Sequence, residues 1–371
     1  MTGEPVVRGT VIEAGERTDD DTPNTPNTVT TDGTEPHDPR DGHSGNGDDA
    51  PPRRWNPDID ARMAAYEPSV EDVLSPTLDE LSTADPGRIT LVPDTHYPFH
   101  PSTGMVTDPA LVGATLSLLD DRTDAELAVA GTSSAAIAFE RTTDYLGYPS
   151  LVARTGAELV DCSDDDLERE RYVLTNDDHA VAVSVPVRLR ESAVITVPTL
   201  RPTDAGAFAG GRRTLARLVD AVADAAATAV AATHAIDPRS SLLDATTAYG
   251  ESPYAANTLF AGPTPAVDTL GASLLGLSNT ADRARAAELK AMGTADSASE
   301  LSTVRVTPVG PTADASGVDF EQHLATLREQ LDGASLPPSD ATHPAVSAAY
   351  RLYAAVGGDA VPPQLDARGG H

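Results

Sequence analysis

Cysteine is almost absent from this chain of 371 residues. Cys162 is the single cysteine, so an internal disulfide is excluded, and so is a zinc or iron–sulfur centre held by four thiolates. No iron–sulfur cluster is therefore expected, and the sequence indicates no other cofactor. Aspartates surround Cys162, and their negative field raises the pKa of a thiol, so we do not expect this residue to act as a nucleophile.

Basic charge is also scarce. Lys290 is the only lysine, and 26 basic residues face 57 acidic ones, which gives a formal net charge of −31. A charge of this size repels phosphate backbones and anionic bilayers, so nucleic acids and membranes are not expected partners. The acidic excess is typical of halophilic proteins of an acidic proteome, because concentrated salt screens self-repulsion within about 3 Å at 1 M. We therefore expect structure to be lost in dilute buffer.

Long apolar runs are missing as well. No stretch approaches the roughly 18 consecutive apolar residues that a membrane helix needs. The first ten residues, MTGEPVVRGT, lack the basic region and the apolar region of a signal peptide. Together with the lone cysteine, these absences predict a cytoplasmic protein.

The ends of the chain differ from its middle in composition. Residues 16–54 contain Val29 as their only strongly apolar side chain, so we predict a disordered acidic N-terminal segment. Residues 1–15 hold a β-branched run, which predicts either an edge strand or a frayed terminus. Residues 357–371 are rich in glycine and proline and are expected to form a flexible tail.

Residues 55–356 alternate between strand and helix patterns. This alternation predicts an α/β fold with a largely parallel sheet flanked by helices, in a single core or in two lobes. The predicted strands are 88–92, 126–131, 157–161, 180–187, 193–197, 241–244 and 302–309. The predicted helices are 70–81, 108–119, 135–146, one long helix at 212–234, 266–277, 282–292, 319–331 and 344–356.

Four sequence blocks between Ile89 and Gly293 carry a family resemblance. They are LVPD with the helix start VTDPALVGATLSLL; VAGTSS with LGYPSLVARTGAELVDC; VITVPTLRPT; and LLDATTAYGESPYAANTLFAGPTPAVDTLGASLLGL. In content and order these blocks resemble the family called domain of unknown function 362, and the chain is similar to a divergent, salt-adapted member of archaeal type. The resemblance places Val92 where the family has lysine and Thr203 where it has histidine. It therefore implies an activity that has changed or been lost.

Polar residues that follow predicted strands are the candidate ligand-binding residues, because open α/β sheets bind ligands at the carboxyl ends of their strands. Asp94 follows the first of these strands. Thr132 and Ser133 lie between a strand and a helix, where they would bind an anion or cap the helix. Arg201 would contact a carboxylate or phosphate, or pair with a neighbouring acid. Arg212 and Arg213, at the start of the predicted long helix, would assist it.

Two further carboxylates are candidates because a buried charge is costly without a partner. Asp244 closes an apolar strand, and Asp268 lies in an apolar helical stretch. Each would either bind a ligand or cap nearby backbone. His96 and His100 are weaker candidates, as metal ligands, because Pro98 and Pro101 exclude the helix that such a spacing favours.

Two functions follow from these observations. The first is a non-catalytic or degenerate α/β protein that binds a small anionic ligand. The alternative is an enzyme that acts on a small anionic metabolite, with a divalent cation bridging its carboxylates.

Overall fold

The computed structural model describes residues 5–12, 59–134, 137–174, 179–203, 208–221, 223, 225–250, 252–277, 304–310 and 319–334. The predicted disordered segment 16–54, the helices predicted at 282–292 and 344–356, and the tail 357–371 lie outside these ranges. Within these ranges, no helix is both long enough and apolar enough to span a membrane.

An eight-stranded sheet forms the centre of the fold. Its strands, in spatial order, are β13 (Arg305–Pro308), β1 (Val6–Val11), β12 (Thr258–Gly262), β9 (Ser240–Ala245), β7 (Ala193–Val197), β2 (Arg88–Pro93), β3 (Glu126–Gly131) and β4 (Glu158–Asp161). Neighbouring strands are parallel except around β12, which runs antiparallel to β1 and β9. The predicted α/β fold with a largely parallel sheet is confirmed, and its strands form one continuous sheet.

Helices cover both faces of this sheet. One face packs against α1 (Ile59–Ala84), α2 (Pro109–Arg122) and α4 (Tyr148–Thr155), whereas the other packs against α6 (Gly211–Ala216), α7 (Ala225–Ile236), α8 (Thr264–Leu274) and α9 (Phe320–Leu331). The side-chain alternation of a strand explains this division. In β2, Leu91 packs in the apolar core beneath α1, α2 and α4, whereas Val92 packs in the core beneath α6 and α7. The short helices α3 (Phe139–Leu146) and α5 (Val187–Arg190) complete the described set.

A smaller antiparallel sheet corrects the prediction of one long helix at 212–234. It contains β5 (Leu167–Leu174), β6 (His179–Pro186) and β8 (Asp220–Ala221), and a separate hairpin contains β10 (Ala248–Tyr249) and β11 (Pro253–Tyr254). β8 pairs with β6 through Val183↔Ala221 and Ser184↔Asp220. This strand pairing interrupts the apolar stripe, so the chain forms α6, β8 and α7 instead of one helix.

The N-terminal strand lies inside the sheet, whereas the sequence predicted either an edge strand or a frayed terminus. β1 runs between β12 and β13, and β13 occupies the edge. Val7 is fully buried and shares an apolar core with Leu243 and Phe260. On the opposite side of the strand, the Arg8 guanidinium donates a hydrogen bond of 3.1 Å to the carbonyl oxygen of Asp72 in α1. The strand is therefore part of the core.

Candidate functional site

Asp94 follows the last residue of β2 and is held there by the backbone of its neighbours. Its amide donates to the Thr107 hydroxyl at 2.8 Å and to the Val197 carbonyl at 3.3 Å. The Thr107 amide in turn donates to the Asp94 carbonyl at 3.1 Å. These bonds fix the Asp94 carboxylate at the carboxyl ends of the parallel strands, where its side chain is only 1% exposed.

Arg201 reaches Asp94 because the chain after β7 continues alongside β9. The Leu200 amide donates to the Asp244 carbonyl at 2.9 Å, and the Asp244 amide donates to the Pro198 carbonyl at 2.8 Å. The Arg201 guanidinium then donates to Asp94 Oδ2 from Nε at 3.1 Å and from Nη2 at 2.6 Å. Arg201 is 2% exposed, so this is a buried, charge-assisted pair.

Arg217 brings a second guanidinium to the same carboxylate. It follows the last residue of α6, and its Nη1 donates to Asp94 Oδ1 at 2.8 Å. Unlike Arg201, the Arg217 side chain is 36% exposed. The helix that carries it is held at its other end by Asp268, whose carboxylate accepts from the amides of Gly211 at 2.8 Å and Arg212 at 3.1 Å. Asp268 therefore caps α6 and does not line the pocket described below.

His96 completes the surroundings of Asp94. Its Nδ1 lies 2.7 Å from Asp94 Oδ1, and its side chain is 25% exposed. Burial, with the nearby arginines Arg201 and Arg217, lowers the pKa of His96 to about 4. Burial alone would raise the pKa of Asp94, but Arg201, His96 and Arg217 outweigh it and hold that pKa well below its usual value. At neutral pH the cluster therefore combines one carboxylate, two guanidinium cations and a neutral imidazole.

The loop after β3 forms the opposite wall of the site. Gly131 ends the strand, and a Cβ at this position would overlap the ring of Phe139, which packs against it. The Ser133 amide donates to Asp161 Oδ1 at 3.0 Å, its hydroxyl also contacts Asp161, and the Phe139 amide donates to that hydroxyl at 2.9 Å. Ser133 thus fixes the loop, and the Thr132 hydroxyl beside it donates to the Ser133 carbonyl oxygen at 3.3 Å.

A pocket of about 390 Å³ opens between these two walls. Its lining residues are Val92, Pro93, Asp94, Thr95, His96, Gly131, Thr132, Ser133, Ser134, Thr214, Arg217 and Leu218. The structure therefore brings Asp94, Thr132 and Ser133 together around one cavity, with Arg201 directly behind Asp94. Arg212 and Arg213, which the sequence predicted as assisting residues, are not among the lining residues, whereas Thr214, Arg217 and Leu218 line the pocket and were not predicted.

Asp244 lies at the same edge of the sheet but belongs to a different network. Its Oδ2 accepts from the Asp108 amide at 2.7 Å, and its Oδ1 accepts from the Thr246 amide at 2.9 Å and hydroxyl at 2.7 Å. Burial and the nearby charge of Asp108 raise the pKa of Asp244 to about 6. Asp108 itself caps α2 and contacts Arg62. Asp244 therefore orders the start of α2 and does not line the pocket.

The two histidines proposed as metal ligands do not share a set of partners. His96 contacts Asp94, whereas His100 Nδ1 contacts the Ser102 hydroxyl at 2.6 Å, and the charges that act on His100 are those of Arg62 and Asp108. In the part of the chain that the structure describes, no group of three or more His, Cys, Asp or Glu side chains is arranged to hold a metal ion.

Cys162 is buried under the small sheet. Burial, together with Asp165 and Asp161, raises the pKa of its thiol to about 12. The thiol is therefore protonated at neutral pH, which agrees with the prediction from its acidic neighbours.

Comparisons with known proteins agree with the family resemblance. Residues 89–273 match the model of the family described as Domain of unknown function (DUF362). No curated protein and no solved structure matches the chain. The matched residues extend from β2 to α8 and include every residue that lines the pocket. The chain is therefore similar to the DUF362 family over residues 89–273.

Proposed function

We propose that this chain binds a small anion, a carboxylate or a phosphate ester, in the pocket beside Asp94, and that it does so without catalysing a reaction. The observation that supports the proposal best is the charge of the pocket wall. Arg201 and Arg217 both bond to the single carboxylate of Asp94, and His96 is neutral at pH 7. Arg217 therefore adds a partly exposed guanidinium to the wall of a cavity, in a chain whose formal charge is −31.

Arg217 is the group that would meet the anion. Arg201 is 2% exposed and is committed to Asp94, whereas the Arg217 side chain is 36% exposed and lines the pocket. A guanidinium offers five N–H donors, so Arg217 can keep its bond to Asp94 and donate to a ligand oxygen at the same time. The Thr132 and Thr214 side chains line the same pocket, but their hydroxyls donate to the carbonyl oxygens of Ser133 at 3.3 Å and Gly210 at 3.1 Å, so Arg217 is the donor on which the proposal rests.

The same contacts argue against acid–base catalysis at this site. Asp94 accepts bonds from two arginines and has a pKa held well below its usual value, so it is a poor proton acceptor. His96 has a pKa of about 4, which makes it a weak base at neutral pH, because general bases work best with a pKa near the operating pH. The alternative of a cation bridging Asp94 and Asp244 has no support, since each carboxylate is engaged in its own network.

A thermal-shift screen in concentrated sodium chloride tests the proposal. The probes are inorganic phosphate, glycerol phosphate and small carboxylates, since a ligand that binds only the native state raises Tm. Arg217→Gln should abolish the shift. Arg154→Gln is the matched control, because Arg154 is also 36% exposed and also pairs with an aspartate, Asp60, away from the pocket. A shift that persists unchanged in Arg217→Gln, or no shift with any probe, would overturn the proposal.

A further inference from the structure

The two ring nitrogens of His96 have different surroundings. Nδ1 lies 2.7 Å from Asp94 Oδ1, and that carboxylate is ionised because Arg201 and Arg217 hold it so. An ionised carboxylate can only accept, so Nδ1 carries the proton and donates it to Asp94. A neutral imidazole has one ring proton, and therefore Nε2 presents a lone pair and is a hydrogen-bond acceptor.

Nε2 is open to the contents of the pocket. The contacts of the His96 ring to polar groups run through Nδ1, to Asp94 at 2.7 Å and to Arg201 Nη2 at 3.4 Å. Within the described residues, Nε2 has no hydrogen-bond partner. The ring is 25% exposed and lines the pocket, and it also packs against Phe99 with 6.0 Å between ring centroids. A bound ligand would therefore meet an acceptor at His96.

Arg217 requires the opposite hydrogen-bonding group in the same ligand. Its guanidinium only donates, so it requires an anionic oxygen, whereas His96 Nε2 requires a donor. We propose that the ligand is a small hydroxycarboxylate of the glycolate type, whose carboxylate binds Arg217 and whose hydroxyl donates to His96 Nε2. This inference rests on the proposed anion site. An amino acid would offer an ammonium donor, but that cation would lie near two guanidinium cations, which disfavours it.

The hydroxyl should have a measurable effect on affinity. A ligand without it leaves Nε2 facing a group that cannot donate and displaces the water that would otherwise bond there. The loss of one such bond corresponds to about a tenfold change in Kd. Glycolate and acetate form a suitable pair, because both are monoanions at pH 8 and differ by the single hydroxyl.

Isothermal titration calorimetry in concentrated salt at pH 8 tests this inference with glycolate, acetate and inorganic phosphate. For the native sequence, glycolate should bind about tenfold more tightly than acetate. In His96→Phe, which removes the acceptor, glycolate affinity should fall to that of acetate while acetate affinity stays unchanged. Lactate and propionate provide a second matched pair on the native sequence, and the same preference is expected there.

The outcomes separate this inference from the anion site on which it rests. Equal affinity for glycolate and acetate, or a preference that persists in His96→Phe, overturns the assignment of the hydroxyl to His96 and leaves the anion site standing. Binding of phosphate without binding of glycolate or acetate likewise overturns the assignment of the hydroxyl to His96 and leaves the anion site standing. If none of the three probes binds, the proposed function fails together with the inference.

Discussion

Arg201 and Asp94 form a buried ion pair in which Nε and Nη2 of the arginine donate to the same carboxylate oxygen, at 3.1 Å and 2.6 Å. Neither side chain is more than 2% exposed. Removing one partner of such a pair leaves an uncompensated buried charge, whereas removing both leaves none. The pair should therefore respond very differently to single and double substitution.

Arg201→Met should lower the free energy of unfolding by about 3 kcal/mol, the lower end of the usual range, because Arg217 and His96 still bond to Asp94. Asp94→Asn should be similarly costly, since it leaves the Arg201 cation buried. The double variant should recover much of the loss. Urea unfolding in concentrated salt measures all three, and additive losses in the double variant would contradict this account of the pair.

The dependence of stability on pH should contain opposing contributions between pH 4 and 6.5. Burial lowers the pKa of His100 and of His323 as well as that of His96, and Asp244 acts in the opposite direction. His96 has its pKa lowered from 6.5 to about 4, so in this window the unfolded chain binds a proton that the folded chain does not, and stability falls as pH falls. Asp244 has its pKa raised from 3.8 to about 6, so the folded chain binds the extra proton and stability rises as pH falls.

Single substitutions should separate these contributions. His96→Gln removes the His96 contribution, so its stability at pH 4 relative to pH 6.5 should be higher than that of the native sequence. Asp244→Asn removes the Asp244 contribution, so its stability at pH 4 relative to pH 6.5 should be lower than that of the native sequence. One pKa unit corresponds to about 1.4 kcal/mol, so each change is on the order of 2–3 kcal/mol across the window. The comparison uses urea unfolding at several pH values, and variants that do not depart from the native sequence in opposite directions would contradict it.

Deletion of residues 1–15 should strongly destabilise the domain, because β1 pairs with both β12 and β13 and buries Val7. The matched control is a variant in which residues 16–54 are scrambled at constant composition, and this change should leave Tm unaffected. Thermal unfolding followed by circular dichroism compares the two. A deletion that leaves Tm intact would show that β1 adds nothing to the sheet.

Salt should be required for the fold, since a formal charge of −31 repels itself when it is not screened. We expect the helical circular dichroism signal to fall as sodium chloride is diluted from about 2 M to about 0.05 M, where the screening length grows from a few ångströms to more than 10 Å. Equal ellipticity across this range would contradict the expectation of a salt-adapted protein.

The sequence predicted the α/β class and several elements closely, because their signals are local. β7 spans Ala193–Val197 and β3 spans Glu126–Gly131, as the apolar runs predicted. α9 begins after Asp319, whose side chain accepts from the Gln322 amide and caps the helix. Such caps and apolar runs are encoded by adjacent residues, so no knowledge of distant contacts is needed.

Other elements depended on contacts that the sequence does not display. The interruption at β8 follows from its pairing with β6, in which Asp220 pairs with Ser184, 36 residues earlier in the chain. The antiparallel strand β12 was not predicted, although Thr258–Gly262 is a short apolar run, because neighbouring turns gave no clear strand boundary. α1 contains Pro68 and Pro76 and extends well beyond the predicted 70–81, since packing against α2 and β12 outweighs the cost of the prolines.

The candidate site was predicted only in part, because some of its residues are placed by contacts that the sequence does not display. The rule that ligands bind at the carboxyl ends of parallel strands predicted that Asp94, Thr132 and Arg201 lie at one edge of the sheet, and the structure places them there. It did not separate Asp244, whose carboxylate faces the Asp108 amide, from the pocket residues. Arg217 was missed because the predicted continuous helix gave no reason for the chain to turn at Ala216.

The most direct test of an anion site beside Asp94 is a calorimetric titration of glycolate and of inorganic phosphate into the native chain, Arg217→Gln and Arg154→Gln, all in concentrated sodium chloride. We expect one site per chain in the native sequence and in Arg154→Gln, and an affinity at least about tenfold weaker in Arg217→Gln. Equal affinity in all three proteins, or no heat of binding in the native chain, would contradict it.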